Sequence, residues 1–348
     1  MTANVYQEDM EYISNAKSIE WKLLEKRTIF ITGGTGLIGS TVIKGLLYAN
    51  SKYRLNLRII ALVRSLERAE SLFPDINTGE ATLKFIVGSV ESLPDIQEKV
   101  DYIIHGASPT ASLYFVQHPV ETIQTAVQGT KNILELAKKN QVEGILYLSS
   151  MEVYGAPLTD ELIPETQGCT LDSMTIRSCY PIAKRLCENL CASYASEYGV
   201  LAKVIRLAQT FGPGVSMNDG RVFAEFARDA IHGADIELQT LGTSKRMYLY
   251  TTDAVAAILT VLLSGKSGET YNAANPKTYC SIVEMAQLVV HEIAHDSITL
   301  HTPAIKLEAD SKFPPPHHLN LDIDKIYKLG WRPSIELREM YLRMMATM

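Results

Sequence analysis

Tyr180 and Lys184, one helical turn apart in the run YPIAK, are the pair in this sequence best suited to moving a proton. A spacing of four places both on one helix face, and Pro181 is tolerated in a first turn. An ammonium beside a phenol favours the phenolate and draws its pKa toward neutrality. The result is a base able to take a hydroxyl's proton as hydride departs. Alone, Tyr-x-x-x-Lys is an ordinary surface pairing. It gains meaning from LYLSSMEVYG upstream, a strand-like run that reaches Ser150. That hydroxyl can hydrogen-bond the same reacting oxygen, so Ser150, Tyr180 and Lys184 read as one proton-transfer set.

A rival chemistry is written at His291-Glu-Ile-Ala-His295, a literal HExxH, in which two histidines one turn apart bind zinc in hydrolases. That reading needs a third ligand and a cleft. Here the motif closes the amphipathic run SIVEMAQLVV, where histidines suit the negative end of a helix dipole. The next residues, DSITLH, carry no metzincin-like continuation. A zinc metallohydrolase through His291 and His295 is therefore the remote alternative, and no metal is expected. His317 and His318, in the stiff segment FPPPHH, read as solvated or packing residues.

The elements that must hold the proton-transfer set begin with TGGTGLIG, residues 32–39, between an apolar strand (28–32) and an apolar helix (36–49). Gly33 permits the tight turn, Gly36 lets backbone approach a pyrophosphate, and Gly39 lets helix and strand pack. The amides of the first helical turn, around Leu37 and Ile38, then receive the anion. This cradle implies a dinucleotide. Arg64 and Arg68 stand where the second strand would offer an acid to a ribose hydroxyl. Arginine there can pair with a 2′-phosphate, or can merely stack on adenine or face solvent, so NAD and NADP both stay open.

Strand-like runs at 58–63, 83–88, 102–107, 144–150 and 202–208 alternate with helical stretches at 119–139 and 180–198. The pattern predicts an α/β fold with a doubly wound parallel sheet of Rossmann type. A helix over 8–25 precedes it. Looser segments follow, with helices near 220–233, 252–264 and 281–294 and a strand near 236–240. The expected division is an N-terminal helical extension (1–26), a dinucleotide-binding domain (27–208) and a mainly substrate-binding smaller domain (209–348), whose segments can interleave. A net charge of −6 supplies no basic field, which argues against nucleic acid or anionic membrane as partner. No run suits a bilayer span or a signal peptide. The five cysteines are odd in number and form no CxxC, which favours free thiols in a reducing cytoplasm.

With these motifs in this order, the chain resembles the nucleotide-sugar epimerase/dehydratase branch of the extended short-chain dehydrogenases/reductases. Within it the chain is most similar to UDP-glucuronate decarboxylases. The resemblance runs from Thr28 to Pro333 and includes HGASPTASLYFVQHPVETIQTAVQGTKNILELA (105–137), RLAQTFGPG (206–214), MNDGRV (217–222), KRMYLYTTDAV (245–255) and LGWRP (329–333). It implies oxidation at sugar C4, with Tyr180 as base, Lys184 on the nicotinamide ribose, Ser150 orienting the hydroxyl, and Glu152 a fourth catalytic residue. It also implies Ala107 on the cofactor, and Ser108, Thr110, Gln209, Arg221 and Arg246 on a nucleotide-sugar substrate. A homodimer is implied too.

Departures bear on the reaction. Met151 stands where 4,6-dehydratases carry an aspartate acid and the decarboxylases a serine, and a thioether transfers no proton. Ala126 and Gln209 replace asparagines, and Ser89 replaces an aspartate that commonly meets adenine. The expected enzyme is decarboxylase-like; a 4,6-dehydratase and a 4-epimerase are the alternatives, and a cofactor-binding protein without turnover is more remote.

Overall fold

A computed structural model describes residues 2–74, 82–168, 171–303 and 316–348 of the 348-residue chain. Apolar, β-branched runs make its main sheet. β1 (Thr28–Thr32) is buried along its whole length and β2 (Arg58–Val63) along all but its first residue. Strands covered on both faces in this way belong to a parallel sheet with helices on each side. After α1 (Thr2–Asn15), the chain runs β1, α2 (Leu37–Tyr53), β2, α3 (Leu66–Leu72), β3 (Leu83–Val87), β4 (Tyr102–His105), α4 (Ser112–Gln117), α5 (Pro119–Asn140), β5 (Gly144–Ser150), α6 (Cys179–Tyr198) and β6 (Ala202–Leu207). β7 (Gln209–Phe211), α7 (Val222–His232), β8 (Ile236–Glu237), β9 (Lys245–Tyr250), α8 (Thr251–Ser264) and β10 (Thr270–Ala273) follow.

The main sheet has strand order β3-β2-β1-β4-β5-β6-β10, and every pairing within it is parallel. The order reverses between β1 and β4. In an open α/β sheet a ligand crevice lies at that switch point, beyond the carboxyl ends of the strands. The fold class is the one the strand–helix alternation predicts.

Residues 251–273 return to this main sheet. α8 is buried on nearly every side, as its sequence TTDAVAAILTVLLS requires, and β10 extends the sheet beside β6. The remaining C-terminal elements are β11 (Asn275–Ser281), α9 (Ile282–Leu288), β12 (Leu300–His301), β13 (His318–Leu319), α10 (Asp324–Tyr327) and α11 (Leu337–Met345). β7, β9, β11 and β13 form a second, four-stranded sheet. It shares an aromatic core with α7 and α11 around Phe211, Phe223 and Tyr341.

Two helices differ from the sequence expectation. The predicted 8–25 helix stops at Asn15, where the Trp21 indole donates to the Ser14 carbonyl (3.0 Å) and supplies a partner at the helix end. A short 3₁₀ turn, Trp21–Leu24, follows. The predicted 281–294 helix is α-helical only to Leu288 and then widens into a π turn, Val289–Ile293. α1 lies across both parts of the molecule. Asp9 accepts from Tyr250 and pairs with Arg343, and Tyr12 donates to Asp253 (2.6 Å).

Candidate active site

The glycine cradle sits at the switch point. Gly33 has φ +76, and a Cβ there would come within 2.8 Å of the Gly106 carbonyl group. A Cβ on Gly39 would overlap the Gly33 carbonyl oxygen. Around Gly36 there is more room, with only the Gly33 oxygen near a built Cβ, at 3.4 Å. Gly36 is the N-cap of α2 without a side-chain cap, so the first-turn amides of Leu37, Ile38 and Gly39 are left for an anion. The cradle's shape and donors fit a dinucleotide pyrophosphate.

Behind the cradle lies a support that the sequence did not announce. His105, at the end of β4, is buried between Thr32 Oγ1 (2.7 Å) and Thr130 Oγ1 (3.2 Å). Burial, helped by the Lys184 charge, lowers its pKa to about 3, so the ring stays neutral. Thr32 Oγ1 also accepts from the Ala107 amide (3.2 Å), which fixes the chain on the far side of the cradle. Arg64 is exposed at the end of β2, and Arg68 is exposed on α3. Burial opposes it, but a hydrogen bond from Thr125 and the nearby Arg64 charge hold the Glu91 carboxyl below its usual range.

Ser150, Tyr180 and Lys184 converge from two elements. Ser150 ends β5 and caps the 3₁₀ turn Met151–Tyr154, its Oγ accepting from the Glu152 amide (3.2 Å). Tyr180 is buried in the first turn of α6, stacked on Phe115 of α4 at 4.3 Å and 11°. Its phenol is pushed well above the usual range by burial and then by the Glu152 carboxylate. A hydrogen bond with Ser150 and the Arg177 charge work the other way. Lys184 lies 5.7 Å from the Tyr180 ring centre and donates to the Leu148 carbonyl (2.8 Å). Burial lowers its pKa to about 8. The expected drop of the phenol toward neutrality under Lys184 is thus not found in the protein alone, because desolvation dominates both groups.

Met151 is buried and Glu152 half-exposed. Glu152 is held by Arg177, whose Nη2 donates to its Oε2 at 2.8 Å and reaches Ser112 Oγ at 3.4 Å. The same guanidinium lies 4.7 Å from the Phe115 ring centre. Sequence reasoning missed Arg177, although its place three residues before the base in IRSCY was a signal.

Across the crevice, Arg246 of β9 donates to Gln209 Oε1 (3.0 Å) and meets His317 Nε2 (3.2 Å), while its Nε is buried without a partner. The Ser108 hydroxyl is likewise buried without a partner, whereas Thr110 is exposed. Buried polar atoms without a protein partner suit a polar ligand. Arg221 is bound to its near neighbour instead, with Nε and Nη2 on the Asp219 carboxylate (2.9 and 2.5 Å).

A second unannounced network lies behind the site. Arg206 of β6 forms a two-pronged pair with Glu188 of α6 (2.9 and 2.6 Å), and Ser149 donates to the same carboxylate (2.5 Å). Arg206 also donates to Tyr154 (2.8 Å), which donates to Asn272 (2.7 Å), so the loop carrying Glu152 is tied to β10.

The HExxH segment takes another form. His295 lies past the helical turns with φ +50, and His291 pairs with Asp296 (2.5 Å). The two rings therefore do not share one α-helical face. Among the described residues, no group of three His, Cys, Asp or Glu side chains is arranged to hold a metal, and no helix is long and apolar enough to cross a membrane. Part of the proline segment, 313–315, lies outside the described residues.

Comparison with known proteins gives the family and the fold. Residues 29–274 match the family described as "NAD dependent epimerase/dehydratase family". The chain is 31% identical over 313 residues to UDP-glucuronic acid decarboxylase 3 of Arabidopsis thaliana, covering 89% of this chain and 86% of the relative. It is 29% identical to UDP-glucuronic acid decarboxylase 1 of Danio rerio, covering 90% and 71%. In fold it is similar to dTDP-glucose 4,6-dehydratase from Streptomyces venezuelae crystallised with NAD (TM-score 0.75, 22% identity, 91% and 95% covered). It is equally similar to UDP-glucuronic acid 4-epimerase from Bacillus cereus (TM-score 0.75, 18% identity, 92% and 98% covered).

Proposed function

This chain belongs to the NAD dependent epimerase/dehydratase family, and from that premise we propose that it converts UDP-glucuronate to a UDP-pentose and CO₂ through a 4-keto intermediate. The observation that carries decarboxylation over dehydration is Met151. Buried beside Ser150, it puts a thioether where the resembling 4,6-dehydratases have their acid. Loss of water needs a proton donor at the leaving oxygen. Loss of CO₂ from a β-keto acid does not. Similarity to UDP-glucuronic acid decarboxylases over most of the chain supports the same reading.

In this account Tyr180 takes the proton of the C4 hydroxyl, with Ser150 fixing that oxygen. Bound NAD supplies the acceptor for the C4 hydride and its positive charge, which favours the phenolate. The C5–C6 bond then breaks, its electrons pass to the C4 carbonyl as an enolate, and CO₂ leaves. Solvent water would supply the proton that replaces the carboxylate at C5, the hydride would return to C4 from a bound nicotinamide, and Tyr180 would give its proton back to the C4 oxygen. The cofactor is unchanged overall. Lys184 holds the nicotinamide ribose, Glu152 orients the sugar, and Arg246 with Gln209 and Ser108 takes the diphosphate or the carboxylate.

We further place the working form as a homodimer. Val116 on α4, Val120 and Ile123 on α5, and Leu186 on α6 are all exposed. A second copy would cover these side chains. Unbridged thiols at Cys179, Cys187, Cys191 and Cys280 suit a reducing cytoplasm.

Separate incubations with UDP-glucuronate, UDP-glucose and dTDP-glucose test the reading. UDP-glucuronate should be consumed with no net reduction of nicotinamide. Efficient conversion of dTDP-glucose to a keto-deoxy sugar, with UDP-glucuronate untouched, would replace decarboxylation by dehydration, with Glu152 as the acid.

A further inference from the structure

Arg177 touches two of the elements around the reacting phenol, the turn after β5 and α4. It pairs with Glu152 on the turn after β5 (2.8 Å), reaches Ser112 at the start of α4, and covers Phe115, the ring stacked on Tyr180. Its own backbone lies in the 3₁₀ turn Ile176–Ser178 that leads directly into α6 and Tyr180. We propose that Arg177 is a positioning residue for the proton transfer: by binding Glu152 while it covers Phe115, the ring stacked on Tyr180, it holds both the carboxylate and the phenol's packing partner in place. The inference rests on Tyr180 as the proton acceptor and is independent of which sugar is bound.

The chemistry around the phenol makes this more than a surface ion pair. The groups facing Tyr180 are Glu152 and Ser150 from β5 and its following turn, Phe115 from α4, Arg177 from the 3₁₀ turn, and Lys184 on its own helix, with Tyr147 beyond Lys184. Of the charged ones, Lys184 is engaged by the Leu148 carbonyl. Glu152 is the only anion among them, and it opposes ionisation. A carboxylate left free on that turn would repel both a forming phenolate and an anionic sugar. Arg177 is the cation bound to it. The pair is about one-third exposed on each side, so it is open to solvent and to a ligand rather than part of the packed core.

The test is a tyrosinate absorbance titration of the NAD-bound protein, with Tyr180→Phe as the blank that isolates the Tyr180 step. Arg177→Gln should move that step upward by roughly one pH unit, the order of effect that loss of one neighbouring opposite charge has. Arg177→Lys should restore most of the shift, and Glu152→Gln should move the step downward. In a Glu152→Gln background, Arg177→Gln should have a smaller effect, because the carboxylate it positions is gone. Melting temperatures of all four variants should stay near wild type. A Tyr180 step that ignores Arg177→Gln, or a Lys variant that fails to rescue, overturns the proposal. Should Arg177→Gln not fold, Glu152→Gln decides alone: no downward shift overturns it. A wild-type protein without any Tyr180 step removes the assignment of the base itself, a separate failure.

Discussion

Two arginine–glutamate pairs flank the same stretch of chain, and they differ in almost everything except composition. Arg206–Glu188, the rear pair, joins β6 to α6 with side chains 8% and 9% exposed, while Arg177–Glu152, the front pair, joins the turn before α6 to the turn after β5, 34% and 36% exposed. The rear pair is two-pronged, and Ser149, Tyr154 and Asn272 complete its hydrogen bonding. The front pair has one strong contact and a weak second one to Ser112. A buried ion pair tolerates the loss of neither partner, since the other is left charged in a low dielectric. A half-exposed one is worth little to stability and leaves its groups able to turn to a ligand. The same two residue types thus build a fixed wall within the fold and a responsive face at the turn beyond β5.

The largest effect should come on the front side. Tyr180→Phe keeps the ring that stacks on Phe115 but removes the proton acceptor. Turnover should fall by roughly 10²- to 10⁴-fold while NAD affinity, measured by titration, changes little. Near-native turnover would take Tyr180 out of the mechanism. The rear pair should respond in the opposite currency. Glu188→Gln should destabilise the fold by about 3–5 kcal/mol, because Arg206 loses its buried counter-ion. Glu152→Gln should cost under about 1 kcal/mol yet impair turnover. Denaturant unfolding of both variants, run together, breaks the comparison if the two losses of stability are alike.

Lys184 sharpens it further. Its pKa falls from the usual 10.5 to about 8 on folding, so the unfolded chain holds the proton more tightly. The burden on stability is full below pH 8 and lifts as pH rises from there toward 10.5. Lys184→Met should therefore be inactive and, at pH 7, more stable than wild type by roughly 2–3 kcal/mol. A melting temperature below wild type would show that the bond to Leu148 outweighs the burial. The smallest effect concerns the cofactor's far end. Arg64→Ala should weaken NADP binding about tenfold, the value of one charge-assisted contact at an exposed site, and leave NAD within a factor of a few.

The sequence was most informative where local rules and tertiary structure agree. TGGTGLIG lay between a strand and a helix, and Gly33 needs its positive φ there. The alternation of apolar strands and helices led to the doubly wound sheet. It was least informative where a residue's meaning depends on distant partners. Arg206 inside the strand AKVIRL reads as an oddity until Glu188, Tyr154 and Asn272 surround it. His105 sits between threonines 73 and 25 positions away. α8 looked like a continuation of the smaller domain because nothing local says that a buried helix will pack back against β5 and β6. In HEIAH the motif was legible and its geometry was not, since the π turn and the left-handed His295 are set by packing around Val289 and Val290.

The central claim is that the active face of this fold oxidises C4 of a uronic acid and then releases its carboxyl carbon. UDP-glucuronate labelled with carbon-13 at C6, incubated with the NAD-bound protein and followed by NMR, tests it most directly. The account predicts that the label appears as bicarbonate and CO₂ while an unlabelled UDP-pentose accumulates, both absent with Tyr180→Phe. Label retained in a six-carbon UDP-sugar inverted at C4 would contradict it and make the protein an epimerase.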